Sequence, residues 1–114
     1  MKKPFDLAER TRLFATAVRA YLKHLPRTEW NLNVIFQLSK ASCSVPANYI
    51  ESVENLGRRD SIMKLKICRR ESKESELFLD LSEPIEAQEP VKQELRGEAL
   101  ELVKIFSAII RKAE

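Results

Sequence analysis

The sequence predicts an all-α protein, an antiparallel up-down-up-down four-helix bundle, on three observations. Two glycines in 114 residues are too few for the tight turns of a hairpin-rich β fold. Pro4, Pro26, Pro46, Pro84 and Pro90, with Gly57, mark the breaks, and between them apolar residues recur every three or four positions, the period of a helix with one buried face. At 13.2 kDa the chain makes one domain, residues 1–114, too short for two cores. Short connections between successive helices make neighbours antiparallel.

The first helix opens at Asp6, whose carboxylate accepts from free backbone N–H groups, with Glu9 in a capping-box relation three residues on. It ends near His24, ahead of Leu25-Pro26. Leu7, Thr11, Phe14, Val18, Leu22 and Leu25 form its inward stripe, while Leu13, Ala17 and Ala20 form a second, shallower face. The second helix runs from Thr28 or Glu29 to Leu56, with Val34, Leu38, Ala41 or Ser42, Val45, Tyr49 and Val53 inward and Gly57 as its stop. Pro46 lies inside this pattern without an N–H for the Ser42 carbonyl, which predicts a kink between Ser42 and Pro46. Asn48, half a turn on, is expected to bond the backbone group that Pro46 exposes or to bond across the bundle. A polar recognition spot at the kink is the rival reading.

The third helix starts near Asp60 as cap and continues to Ser82. Turning ~100° per residue, Leu65, Cys68, Ser72, Ser75 and Leu79 fall with Ile62 in one arc of roughly 80°, the core seam. Arg59, Lys66, Arg70 and Lys73 occupy an arc of roughly 60° on the far side, and Met63, Ile67, Phe78 and Leu81 a separate apolar arc. After a polar, acidic linker from Glu83 to Glu89, Pro90 suits the first turn of a fourth helix. Val91, Leu95, Ala99, Leu102, Ile105, Phe106 and Ile109 give that helix its apolar stripe, and Lys104, Arg111 and Lys112 favour its C-terminal dipole.

The net charge of +3 and pI of about 9.0 decide little; the distribution says more. Residues 58–73 carry Arg58, Arg59, Lys64, Lys66, Arg69, Arg70 and Lys73 against Asp60 and Glu71, a local +5. Residues 74–101 carry nine acidic side chains against Lys92 and Arg96, a local −7. Cys43 and Cys68 are offset by five residues, about 7.5 Å of axis, when the second and third helices fold back. That exceeds the ~7 Å a disulfide spans, so both read as small buried thiols. Metal ligation needs more than two thiols and the lone His24, and no cofactor is expected. Glu51, Glu71 and Glu74 read as ion-pair partners of Arg10, Lys40 or Lys64 rather than as a carboxylate centre. With no serine–histidine–acid set, Gly-rich phosphate loop or Cys-x-x-Cys, the expectation is a protein that is not an enzyme. Two cysteines, no signal-like start and no apolar run near ~20 residues lead to a cytoplasmic expectation with no membrane contact.

Phe5-Asp6-Leu7 with Arg10 and Phe14-Ala15, then Leu25-Pro26, then Ser44-Val45-Pro46-Ala47-Asn48-Tyr49-Ile50-Glu51 resemble the four-helix bundle proteins encoded in intervening sequences of bacterial large-subunit (23S) ribosomal RNA genes. Gly57-Arg58-Arg59-Asp60, Lys64-Leu65-Lys66-Ile67, Glu71 with Glu74-Ser75, and Glu101-Leu102-Val103-Lys104-Ile105 ending in Ile109-Ile110 follow the family's order and spacing. Leu77-Phe78-Leu79 and Ser52 depart from it, standing where members often carry Tyr-Trp-Leu and a smaller residue. The resemblance implies a bundle that assembles into a ring, commonly a pentamer, with no known enzymatic activity. It is distant kin to the accessory variability determinants of diversity-generating retroelements, basic pentameric barrels that bind nucleic acid and a reverse transcriptase.

Two functional expectations follow. In the first, the chain is a self-associating module that contacts the phosphate backbone of RNA or DNA through Arg58, Arg59, Lys66, Arg69, Arg70 and Lys73, with Leu13, Ala17, Met63, Ile67, Phe78 and Leu81 at the interface between copies. In the second, its basic and acidic ends serve only assembly or a protein partner, and it is a structural adaptor without nucleic-acid binding.

Overall fold

The computed structural model describes residues 6–54 and 57–114. Four helices, α1 (Leu7–Lys23), α2 (Glu29–Val53), α3 (Arg58–Leu81) and α4 (Glu89–Ala113), pack as a bundle, with a single 3-10 turn over Glu86–Gln88 in the linker. No strand occurs among the described residues. α2 packs most extensively on α3 and α3 on α4; α1 lies along α2, and its seam with α4 is the loosest.

The helix starts follow local chemistry. Asp6 Oδ1 accepts from the Ala8 N–H at 2.9 Å, and Thr28 Oγ1 accepts from the Asn31 N–H at 3.1 Å, each satisfying one of the orphan donors at a helix N-terminus. α3 begins at Arg58, two residues before the expected Asp60 cap: Gly57, at φ +84°, is its N-cap, and no side chain bonds there. α2 ends at Val53 with Glu54 as C-cap, so Gly57 opens the next helix rather than closing this one; the expected end at Leu56 lies outside the described residues, as does Phe5. α2 runs through Pro46 as one helix. Asn48 Nδ2 donates to the Ser44 carbonyl at 2.9 Å and to Ser44 Oγ at 2.8 Å, one turn back, so it serves Ser44 and not the Ser42 carbonyl that Pro46 leaves without a donor.

Phe14, Val18, Leu38, Val45, Leu79, Leu102 and Phe106 form the centre of one core, and the Tyr49 and Phe106 rings meet across it at 6.2 Å. The α3 seam is buried as read from the sequence: Leu65, Cys68, Ser72, Ser75 and Leu79. Facing it on α2 are Ala41, Ser42 and Val45, small side chains that bring the two backbones close. Tyr21 and Ile110 are also fully buried, whereas Val53, expected inside, is exposed at the last position of α2. Gly97 sits in mid-helix, where glycine costs about 1 kcal/mol relative to alanine, yet a Cβ there would meet nothing within 4 Å.

A buried polar knot closes one end. Asn31, fully buried, donates from Nδ2 to the carbonyls of Pro26 and Glu83, both at 2.9 Å, and accepts on Oδ1 from the Glu83 N–H at 3.0 Å. The hydroxyls of Tyr21 and Ser82 bond at 2.6 Å, Lys92 donates to the Ser82 carbonyl at 2.9 Å, and the Trp30 indole N–H donates to the Leu81 carbonyl at 2.7 Å. These bonds tie the α1–α2 loop to the α3–α4 linker and satisfy the last carbonyls of α3. Asn31→Leu removes every amide bond and leaves buried backbone groups unpaired at about 1–3 kcal/mol each; chemical denaturation is expected to show a loss of at least about 2 kcal/mol. Ser75 is the converse case, since its buried Oγ meets no hydrogen-bond partner among the described residues, and Ser75→Ala is expected to leave stability unchanged or to raise it in the same measurement.

Candidate nucleic-acid interface

The outward face of α3 carries the basic residues. Arg59, Lys66, Arg70 and Lys73 are all exposed and span 15 residues, about 21 Å of axis. Their surroundings differ. Lys66 Nζ lies 3.2 Å from Glu114, and Arg70 contacts Glu71 at 3.2 Å and Glu74 at 3.7 Å. Arg59 and Lys73 enter no ion pair with described residues. Arg58 is occupied structurally: its Nε donates to the Ala113 carbonyl at 2.8 Å and its Nη2 donates to the same oxygen, which caps the C-terminus of α4. Arg69 is half-buried. Fold geometry therefore brings four of the six predicted residues onto one open face, and holds the other two nearer the body of the bundle. Exposed ion pairs such as those of Lys66 and Arg70 are worth about 0–1 kcal/mol, a cost that an incoming phosphate can offset.

The acidic residues are placed by pairing. Glu51 meets Lys64 at 2.9 Å, as expected, but Glu71 and Glu74 turn to Arg70 rather than to Lys40 or Arg10. Glu71, Glu74 and Lys40 line a shallow groove of about 210 Å³ between α2 and α3. Arg10 instead crosses to α4, where Nε and Nη2 bind the two oxygens of Glu98, both at 2.8 Å. That bidentate bond is the main cause holding the Arg10 guanidinium pKa above its ordinary value, with Glu101 adding a smaller push. Arg96 joins α4 to α3 through Glu76 at 2.7 Å and Asp80 at 3.4 Å.

Sequence reasoning missed two surfaces. Arg12, Arg19 and Lys23 on α1 are exposed and enter no ion pair with described residues; the signal was there, since α1 holds no acidic residue after Glu9. On α2, Leu32, Phe36 and Ile50 are about half exposed, with Cys43 and Ala47 exposed between them. All five fall in an arc of roughly 60° opposite the α2 core face by the ~100° rule. The residues expected between copies divide: Leu13, Met63 and Leu81 are exposed, Ile67 is half-buried, and Ala17 and Phe78 pack against the core of their own chain.

Both cysteines are free, as the helix offset requires, but only Cys68 is buried. Its Sγ approaches the Val45 carbonyl at 3.5 Å, and burial pushes its pKa up to about 12, which leaves little thiolate at neutral pH. Cys43, expected to be buried, points outward because residue 43 faces away from the seam that Ser42 and Val45 occupy. It lines a groove of about 390 Å³ with Ala15, Thr16, Arg19, Leu22 and Ser39. No cluster of metal-ligating side chains occurs among the described residues, and no helix among them is long and apolar enough to cross a membrane.

No family model and no curated protein matches the sequence. Among solved structures, the chain is similar to a protein of unknown function from the S23 ribosomal protein family of Bacteroides thetaiotaomicron, at 23% identity and a TM-score of 0.78 over 92% of this chain and 98% of that one. That likeness carries the fold: the same four-helix arrangement at nearly full length. Thiol titration of the native protein is expected to find Cys43 reacting rapidly and Cys68 reacting at least about tenfold more slowly, with both equally reactive after denaturation; equal native rates would contradict the burial of Cys68.

Proposed function

We propose that the chain is a non-enzymatic, self-associating helical bundle of the bacterial cytoplasm that binds RNA or DNA through phosphate contacts on α3. The observation that carries this reading is the row of Arg59, Lys66, Arg70 and Lys73 on a face the fold does not need: they stand opposite the buried seam, exposed along about 21 Å. The bundle supports it through its sequence resemblance to the ribosomal intervening-sequence proteins and, more distantly, to the retroelement accessory determinants. A ring of copies, a pentamer by that resemblance, repeats the row once per subunit and multiplies a weak contact into avidity. Phosphate contacts position a nucleic acid without reading its bases, so little sequence preference is expected.

A second reading, a protein adaptor, draws on the ion pairs that already engage Lys66 and Arg70 and on the apolar face of α2. Electrophoretic or filter-binding titration with random RNA and duplex DNA separates the two. Under the nucleic-acid reading, affinity falls steeply with salt, the logarithmic slope reporting roughly 0.7–0.9 per phosphate neutralised. Lys66→Glu with Arg70→Glu is expected to lower affinity at least about tenfold while leaving helicity and mass unchanged. Wild-type protein that retains neither RNA nor DNA at low salt, or a double variant that binds equally well, moves the adaptor reading ahead.

A further inference from the structure

The α2 face carries apolar side chains that the fold does not bury. Leu32, Phe36, Cys43, Ala47 and Ile50 span 19 residues, about 27 Å of axis, without a partner helix over them, though Lys40 lies over the Phe36 ring at 5.3 Å. Single exposed apolar residues are ordinary, but several aligned on one helix face suit a contact surface. Arg12, Arg19 and Lys23 border it on α1: Arg19 shares a groove with Ser39 and Cys43, which fixes that basic row on the α2 side of α1.

A matching surface exists elsewhere on the same chain. On α4, Leu100 is about half exposed, and Gly97 one turn before it leaves open space where a side chain would stand. Glu94 is exposed and Glu101 half-buried, with only a long 3.9 Å contact to the exposed Lys104. Both lie on the flank of α4 that faces α1, the flank from which Glu98 reaches Arg10. The two charged rows share a spacing, seven residues from Arg12 to Arg19 and seven from Glu94 to Glu101, about 10.5 Å each.

The geometry points to a second copy of this chain as the occupant: the apolar stripe of α2 packs on Gly97 and Leu100 of the neighbouring copy's α4, with Arg12 and Arg19 over that copy's Glu94 and Glu101. This inference rests on the self-association proposed above and names its faces. Gly97 then has a reason its own fold does not supply, because the absent side chain lets another helix approach closely. The two faces are different surfaces of one subunit, so the contact is heterologous and propagates head to tail, closing into a ring where the rotation allows.

Native mass measurement at micromolar concentration tests it. Ile50→Glu and Gly97→Leu are each expected to reduce the wild-type assembly to 13.2 kDa with helicity retained, and Gly97→Leu is expected to melt higher than a monomeric Ile50→Glu, since leucine is the better helix former. Arg12→Glu with Arg19→Glu, and separately Glu94→Arg with Glu101→Arg, are each expected to be monomeric, and one chain carrying all four substitutions, in which every contact again joins opposite charges, is expected to reassemble. A wild-type assembly whose mass survives both Ile50→Glu and Gly97→Leu overturns the placement of the interface and leaves self-association standing. Failure of that fourfold variant to reassemble with its helicity retained overturns the pairing of the two charged rows, and wild-type protein at 13.2 kDa overturns self-association itself.

Discussion

Asn31 holds the bundle's registration. Its three amide bonds reach the loop before α2 and the backbone after α3, so one buried side chain fixes where two helix ends stand relative to each other. The hydrophobic seams cannot do this alone, because apolar contacts are non-directional and tolerate sliding. A buried amide tolerates no such slide, since each broken bond strands a polar group in a low-dielectric interior. The positions of Trp30, Tyr21 and Lys92, each bonded to Leu81 or Ser82, follow from that anchor. The outward row of α3 therefore leaves the bundle at a defined angle relative to α1 and α2.

Periodicity made most of the fold legible. The α3 seam of Leu65, Cys68, Ser72, Ser75 and Leu79 was readable because each residue recurs at helical spacing and is small or apolar, and the cap Asp6 was readable because it precedes the first turn. Asn31 was not, since an asparagine one turn into a helix carries no periodic signal, and its partner lies 52 residues away. Gly57 was misassigned for a related reason: a glycine between two helices serves equally as the stop of one and the start of the next, and only the helix bounds decide. The placement of Cys43 failed because helical reading of α2 centred on Ser42 leaves the adjacent position facing out.

The candidate surfaces show what one-dimensional charge counting hides. Residues 58–73 read as a block of +5, but structure spends Arg58 on a helix terminus and sets Lys66 and Arg70 beside carboxylates. Arg12, Arg19 and Lys23 of α1 draw less notice in sequence because Glu9 and their own helix dilute the local sum, yet they enter no ion pair with described residues. Likewise the apolar stripe of α2 hides in plain view: a helix with apolar residues on both faces has a weaker amphipathic contrast, and the inward set absorbs the attention. What separates a core residue from a surface one on such a helix is the direction of the neighbouring helices, which only the packed bundle supplies.

The separation of 52 residues between Asn31 and Glu83 also has a kinetic meaning. Helix turns and the α2–α3 hairpin form from contacts close in sequence, whereas the clamp must wait until both intervening helices are in place and the entropy of closing that loop has been met. An interaction formed after the rate-limiting barrier adds nothing to the folding rate and acts instead on how slowly the native state opens. The amide thus acts on the lifetime of the folded bundle, as a latch between the α1–α2 loop and the α3–α4 linker.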